Sequence, residues 1–311
     1  MEDMANTREL RRRIKSVKST AQITKAMQMV AATKMRRAQN QAVSGRPYVE
    51  NLSEALVRLL PRVDPEAHPL LGGREIATSP AVPRNDKVGI ILLSTDKGLV
   101  GALNTNLIRT LVGQTGAMVY YTVGRKGRSF VARTGKDLKA DFENVDVVTF
   151  RQAKQLSRLV IDTFMAGEIG EAYLVYPHFV STLRQEPRRV KLLPILLDTL
   201  AVDLNIHIKE YISVNEKVKI EKEIKSGEFL FEPNADALLD YLLVHHIEEQ
   251  IYQALLETKA SEHSARMIAM QNATDNALEL VEDLTLTYNQ TRQASITTEL
   301  LEITTAQVAM E

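Results

Sequence analysis

The chain has no cysteine and no tryptophan, and only 5% of its residues are aromatic. Without cysteine there is no disulfide, no thiol nucleophile and no thiolate metal site. Net charge is missing too, since Lys+Arg and Asp+Glu both number 39 among 311 residues. A balanced total argues against a bulk binder of nucleic acid or acidic substrates. Long apolar runs are also lacking. The longest uncharged stretch, residues 110–124, contains Gly, Thr and Gln and falls short of the roughly 20 mostly apolar residues of a membrane span. The N-terminal stretch lacks the apolar segment of a secretory signal. Its arginines suggest a transit peptide, but Glu2, Asp3 and Glu9 oppose that reading. The expectation is a cytoplasmic protein with no direct membrane insertion.

Proline and glycine are absent where the chain is most regular. Residues 6–44 contain neither, and residues 234–310 contain neither. The pattern predicts a first helix from about Asn6 to about Leu60, within a shaft segment at 1–60, capped by Asn6 or Thr7 and bent near Gly45 and Pro47. It predicts a last helix over 233–311, whose 77 residues from 234 to 310 would reach roughly 115 Å at about 1.5 Å per residue. Such a helix must leave any compact domain that a chain of this length can form. Between them, residues 61–86 hold five of the ten prolines and read as a linker.

The middle, 87–232, reads as alternating strands and helices. Val88–Leu93 is a continuous apolar run, as in a strand buried on both faces. Met118–Val123, residues 145–150, 171–176 and 190–197 read as further strands, with helices from 104 and over 152–166. Residues 203–226 alternate in a way that suggests a β-hairpin. The expected fold class is α/β: a Rossmann-like domain joined to a long antiparallel coiled coil of the two terminal helices.

The coiled coil has a stripe to support it. Met267, Met270, Thr274, Ala277, Val281, Leu284 and Tyr288 recur at alternating spacings of three and four, the heptad period. Leu10, Ile14, Val17, Ala21 and Thr24 do the same in the first helix. Charge is complementary. Residues 5–40 hold ten bases and one acid, whereas residues 267–311 hold seven acids and one base, Arg292. Arg11, Arg12, Arg13, Lys15 and Lys25 make a basic face on the first helix. The seam uses Ala, Thr and Met more than Leu or Ile, which makes a thin rod, and the uncharged tip at 303–310 needs a sleeve.

Residues 5–37, ANTRELRRRIKSVKSTAQITKAMQMVAATKMRR, resemble the N-terminal signature of the F-type ATP synthase γ subunit family. Residues 260–302, ASEHSARMIAMQNATDNALELVEDLTLTYNQTRQASITTELLE, resemble its C-terminal signature. STDKGLVGALN at 94–104 and VGRKGR at 123–128 resemble its middle motifs. The chain departs from the family in reading EITTAQVAM at the tip, where a Gly/Ala run is usual, and in being longer near 195–226. The resemblance implies a central rotor shaft inside a ring of three α and three β subunits. Its foot would rest with the ε subunit on the membrane ring of c subunits, on the cytoplasmic face of a bacterial plasma membrane. It implies no catalytic residues and no cofactor of its own. It also implies β-subunit contacts at Met27, Arg292, Gln293, Thr297 and Glu299, with Arg292-Gln293 latching at one rotary angle. Phe229 and Phe231, just before the last helix, would lie at the foot near the c-ring.

Each motif has a plainer reading. Gly98-Leu-Val-Gly101 lacks the pattern of a dinucleotide fingerprint or a phosphate loop and reads as a strand-to-helix turn. The Arg11-Arg12-Arg13 run reads as a basic face against acidic protein, not nucleic acid. His245, His246, Glu248, Glu249 and His263 offer too few ligands in register for zinc and read as a solvated helix face, so no metal is expected. Two other classes stand as alternatives: a nucleotide-dependent enzyme with coiled-coil arms, and a structural coiled-coil adaptor.

Overall fold

The computed structural model describes residues 2–59, 68–72, 87–114, 116–196 and 234–310. They form two compact units, Met1–Lys34 with His263–Glu311, and Met35–Glu262. Two helices contribute to both: α1 (Glu2–Leu59) and the last helix, α5 (Ala235–Met310).

In the first unit the two helices pair along a seam of small residues. Ala21, Thr24 and Ala31 are buried on one side, and Met270, Thr274, Ala277 and Val281 on the other. Leu10, Ile14 and Val17, like Leu284 and Tyr288, are half-buried, whereas the positions between them are exposed. Burial fades toward the start of α1 and toward the end of α5, so the helices run antiparallel. Thr24 meets Thr274 directly, hydroxyl to hydroxyl at 2.7 Å.

The second unit is built on a five-stranded sheet in the order β4-β3-β2-β5-β6. Its strands are β2 (Val88–Leu93), β3 (Met118–Val123), β4 (Asp137–Phe142), β5 (Glu171–Phe179) and β6 (Gln185–Leu193). All pair in parallel except β5 with β6. Alternate residues of β2 face opposite layers. Ile90 and Leu92 pack with Leu107, Leu111 and Val131, beneath α2 (Leu103–Arg109) and α3 (Arg125–Arg133). Ile91 and Leu93 pack with Leu156 and Val160 of α4 (Phe150–Met165), with Leu56 and Leu59 of α1, and with Leu243, Ile247 and Ile251 of α5. The last helix is thus part of the domain's core over its first turns. Asn234 accepts a hydrogen bond from the Ala237 amide at 2.8 Å and caps it.

Three expectations need correction. Residues 145–149 are not a strand: Val148 is buried, but Val145 and Val147 are exposed and no partner strand lies beside them. β-branched composition imitated a strand in a connection. The true strand there is β4, DLKADF, whose Asp137, Lys139 and Asp141 face outward while Leu138, Ala140 and Phe142 turn inward. It pairs on one side only, so half its residues are free to be charged. Within 61–86, a short β1 (Leu71–Gly72) pairs with β7 (Ile195–Leu196) and buries Leu70 and Leu71, so that part of the linker belongs to the core. Finally, α1 is already helical at Glu2, so Asn6 and Thr7 lie within it. The hairpin expected at 203–226, with Phe229 and Phe231, falls outside the described residues.

Candidate functional site

The residues expected to meet partners are surface residues of the paired helices. Arg292, Gln293, Thr297 and Glu299 are all exposed, as are Arg11, Arg12, Arg13, Lys15 and Lys25; Met27 is half-buried. Met27 lies within a turn of Thr24 and hence near Thr274. Arg292 is 18 positions beyond Thr274, about 27 Å along the helix at about 1.5 Å per residue. Met27 and the Arg292 group therefore lie at different heights along the rod.

Arg292 has no acid on its own helix within reach. Its neighbours at three and four positions are Tyr288, Asn289, Ser295 and Ile296. Among the described residues it makes no hydrogen bond or ion pair. The hydroxyls around it are spent locally. Thr287, Thr291, Thr297 and Thr298 each donate to the carbonyl four residues back, at 2.9 to 3.0 Å. This leaves threonine methyls on the surface. With Ile296, Leu300, Leu301 and Ile303 all about half or more exposed, the end of α5 presents apolar side chains beside the exposed Glu299 and Glu302, and the Arg292 guanidinium stands free among them.

The glycine motifs of the middle have packing roles. A Cβ on Gly124, whose φ is 97°, would stand 2.3 Å from the Ser94 carbonyl oxygen. A Cβ on Gly127 would stand 2.9 Å from the Ser94 hydroxyl oxygen. That hydroxyl accepts from the Gly127 amide at 2.8 Å and donates to the Val123 carbonyl at 3.0 Å. VGRKGR is thus the close seat of α3 on β2. The GLVG turn is closed from inside, with Asn104 Nδ2 donating to Thr95 Oγ1 at 2.8 Å. Ser94, Thr95, Asp96 and Asn104 bond one another's motif and nearby backbone, so these polar groups hold the turns together.

The histidines are not on a solvated face. His246 and Glu248 are buried where α5 packs on the domain, and His263 is buried as well. His245 is held by Tyr48 Oη at 2.5 Å and stacks on Tyr241. Among the described residues the buried His246 Nδ1 has no hydrogen-bond partner, and its pKa falls to about 4 through burial, helped by the neighbouring His245 charge. Among the described residues no group of three His, Cys, Asp or Glu could hold a metal ion, and no helix is long and apolar enough to cross a membrane.

A polar cluster escaped the sequence reading altogether. Lys259 and Glu262, both about 5% exposed, form an ion pair at 3.6 Å. Lys259 Nζ also donates to the Asn144 carbonyl at 3.1 Å. Asn144 Nδ2 bonds Glu262 Oε2 at 3.4 Å and the Ser94 carbonyl at 2.8 Å. Burial pushes the Lys259 pKa down, while Glu262, Asp146 and Asp96 oppose the fall. Charged residues at i, i+3 on a helix ordinarily read as surface, and only the sheet's proximity reveals their burial.

A family model described as ATP synthase matches residues 6–310. An ATP synthase gamma chain from Opitutus terrae is 44% identical over 306 residues, covering 98% of this chain and 99% of that protein. The one from Methylacidiphilum infernorum is 44% identical over 318 residues, covering 99% and 100%. The chain belongs to the ATP synthase gamma-chain family. Among solved structures, a chain of the Euglena gracilis mitochondrial ATP synthase superposes with a TM-score of 0.64 at 21% identity, covering 98% of this chain and 95% of that one. A second, from the central stalk and c-ring of the Tetrahymena thermophila enzyme, gives 0.54 at 24%, covering 81% and 99%. These two share the gamma-chain fold: a Rossmann-like sheet with long terminal helices.

Proposed function

We propose that this chain is the central rotor shaft of an F-type ATP synthase. It couples ion-driven rotation of a membrane c-ring to ATP synthesis and hydrolysis at β subunits, and it regulates ATPase activity and proton flow. The observation that carries the reading is the thin antiparallel rod of a gamma-family chain, with an apolar surface at its end and one unpaired arginine. A rod seamed with Ala and Thr is a poor free-standing structure and a good core for a surrounding sleeve. Three α and three β subunits are the sleeve. The α/β unit, with an ε subunit, is the foot on the ring, and Phe229 and Phe231 are its anchors there. The chain holds no catalytic site and no cofactor. It acts by favouring different β-site conformations at different angles, a coupling through differential contact. The complex works at the cytoplasmic face of a bacterial membrane, and this subunit is peripheral to it.

The test is purification through an affinity tag on this chain. The expected result is a large ATPase containing α, β and ε subunits that pumps protons into vesicles when given ATP. Recovery of the chain without ATPase overturns the reading and returns the adaptor alternative.

A further inference from the structure

In a doubly wound sheet, ligands bind outside the carboxyl ends of the strands, in the crevice where the strand order reverses. Here β2 is followed on one side by β3 and β4 and on the other by β5, so the crevice lies between the ends of β2 and β5. One turn of α5, residues 257–262, fills it. Glu257 Oε2 meets His178 Nδ1 at 2.6 Å, and Ser261 Oγ donates to the Pro177 carbonyl at 2.9 Å, both at the end of β5. Lys259 and Glu262 bond Asn144, which in turn holds the Ser94 carbonyl at the end of β2. The chain's own helix occupies the place of a ligand, with a buried ammonium among carboxylates.

We propose that this turn is the torque joint of the subunit: Lys259, Glu262, Asn144, Ser261 and the Glu257–His178 pair fix the rotational setting of α5 against the sheet, so that turning the domain turns the helix. This rests on the rotor reading above. The chemistry favours a joint over simple adhesion. Apolar contacts resist separation but tolerate sliding, because they are non-directional. Hydrogen bonds to charged groups are directional and short, and in a dry site leaving one unmade is costly. Four side chains within six residues of the helix, bonding to the end of β5 and to the Asn144 loop that holds the end of β2, oppose rotation of the helix about its own axis.

The experiment uses the intact complex in vesicles, with subunit content checked on a gel. Lys259→Met strands the Glu262 carboxylate. Lys259→Met with Glu262→Met removes both charges and restores a dry, packed site, which is often as stable as a buried ion pair. In both variants ATP hydrolysis by the detached head should stay near wild type, while protons pumped per ATP hydrolysed should fall several-fold. Full coupling in the double variant beside loss in the single one would reduce the network to a matter of stability and overturn the joint. Hydrogen exchange of the wild-type complex needs no variant. Amides of 257–262 should fall in the slowest class, and fast exchange there overturns the proposal whatever the variants do. If wild-type vesicles fail to pump, it is the rotor reading that has failed.

Discussion

The two units of this chain bury different kinds of side chain. In the α/β unit the fully buried residues are large: Leu56, Ile90, Ile91, Leu92, Tyr120, Tyr121 and Leu156. In the rod the seam residues Ala21, Thr24, Ala31, Met270, Thr274, Ala277 and Val281 are buried but keep 2–9% exposure, and most of them are small. A buried Leu or Ile is worth about 1.5–3 kcal/mol against exposure, and a methyl or methylene about 0.8. Per buried residue the rod therefore has the smaller driving force. It also buries the Gln28 amide oxygen with no hydrogen-bond partner among the described residues. The domain buries large apolar side chains, whereas the rod buries small ones and leaves Ile296, Leu300, Leu301 and Ile303 exposed.

That contrast can be broken most sharply at Gly124. Its positive φ and the overlap with the Ser94 carbonyl leave no room for a side chain. Gly124→Ala should cost about 3 kcal/mol or more, combining left-handed strain with a backbone clash. Thermal unfolding followed by circular dichroism should show the loss, and an unchanged midpoint would mean that β2 and α3 are not seated as described. Next in size is acid. His246 is buried neutral, with a folded pKa of about 4 against an ordinary 6.5. Above pH 6.5 it costs nothing. As pH falls from 6.5 toward 4 the unfolded chain takes up a proton that the folded chain refuses, so stability drops by up to about 3 kcal/mol, at about 1.4 kcal/mol per pH unit. His246→Leu should flatten that slope in urea titrations across pH 4–7.

The rod should respond far less. Thr24→Val removes the seam hydroxyl that meets Thr274 and keeps the volume. It should cost about 1 kcal/mol, the net worth of one hydrogen bond. The loss should be visible in the isolated chain and masked in the assembled complex, where a sleeve would hold the helices together. Hydrogen exchange of the isolated chain sharpens the same point: residues 10–31 and 270–295 should exchange much faster than 88–93 and 118–123. Equal protection in both would remove the distinction between the units.

How much of this was legible depended on whether local pattern and tertiary environment agreed. β2 and β3 showed plainly, because strands buried on both faces must be apolar at every position. The heptad stripe of α5 showed for the same reason: Met270, Thr274, Ala277 and Val281 are buried and Met267, Leu284 and Tyr288 half-buried, whereas most residues between them are exposed. β4 did not show, since an edge strand with one inward face needs only Leu138, Ala140 and Phe142. The polar turn at 257–262 was illegible for a deeper reason. Lys259 and Glu262 carry the signature of a solvated surface, and only a sheet edge from over a hundred residues away makes them interior. The exposed candidates, Arg292 and Gln293 among them, were picked out by family resemblance. Composition alone says only that Arg292 is a lone base among acids.

Arg292 marks the low end of the stability scale and the place where the rod's purpose can be tested apart from its folding. It is exposed, it has no acid at three or four positions on its own helix, and it stands on a surface of threonine methyls and leucines. Substituting it should leave the unfolding of the chain unchanged, because surface changes away from special features fall within about 0.5 kcal/mol. Its effect should appear only in turnover. A guanidinium bonds a carboxylate or backbone carbonyls in a fork that an ammonium cannot copy, and Gln293 beside it both donates and accepts. A contact made at one angle and released at the next stabilises one step of a cycle. We expect Arg292→Ala with Gln293→Ala to assemble normally and to slow steady-state ATP hydrolysis and synthesis by the equivalent of about 1–3 kcal/mol, the cost of losing a hydrogen bond to a charged group. Arg292→Lys should recover little of it. The measurement is ATPase turnover of purified complexes with matched subunit content. Wild-type turnover in the double variant would mean that the tip of α5 needs only its shape and its apolar surface, and that the arginine is there for solubility.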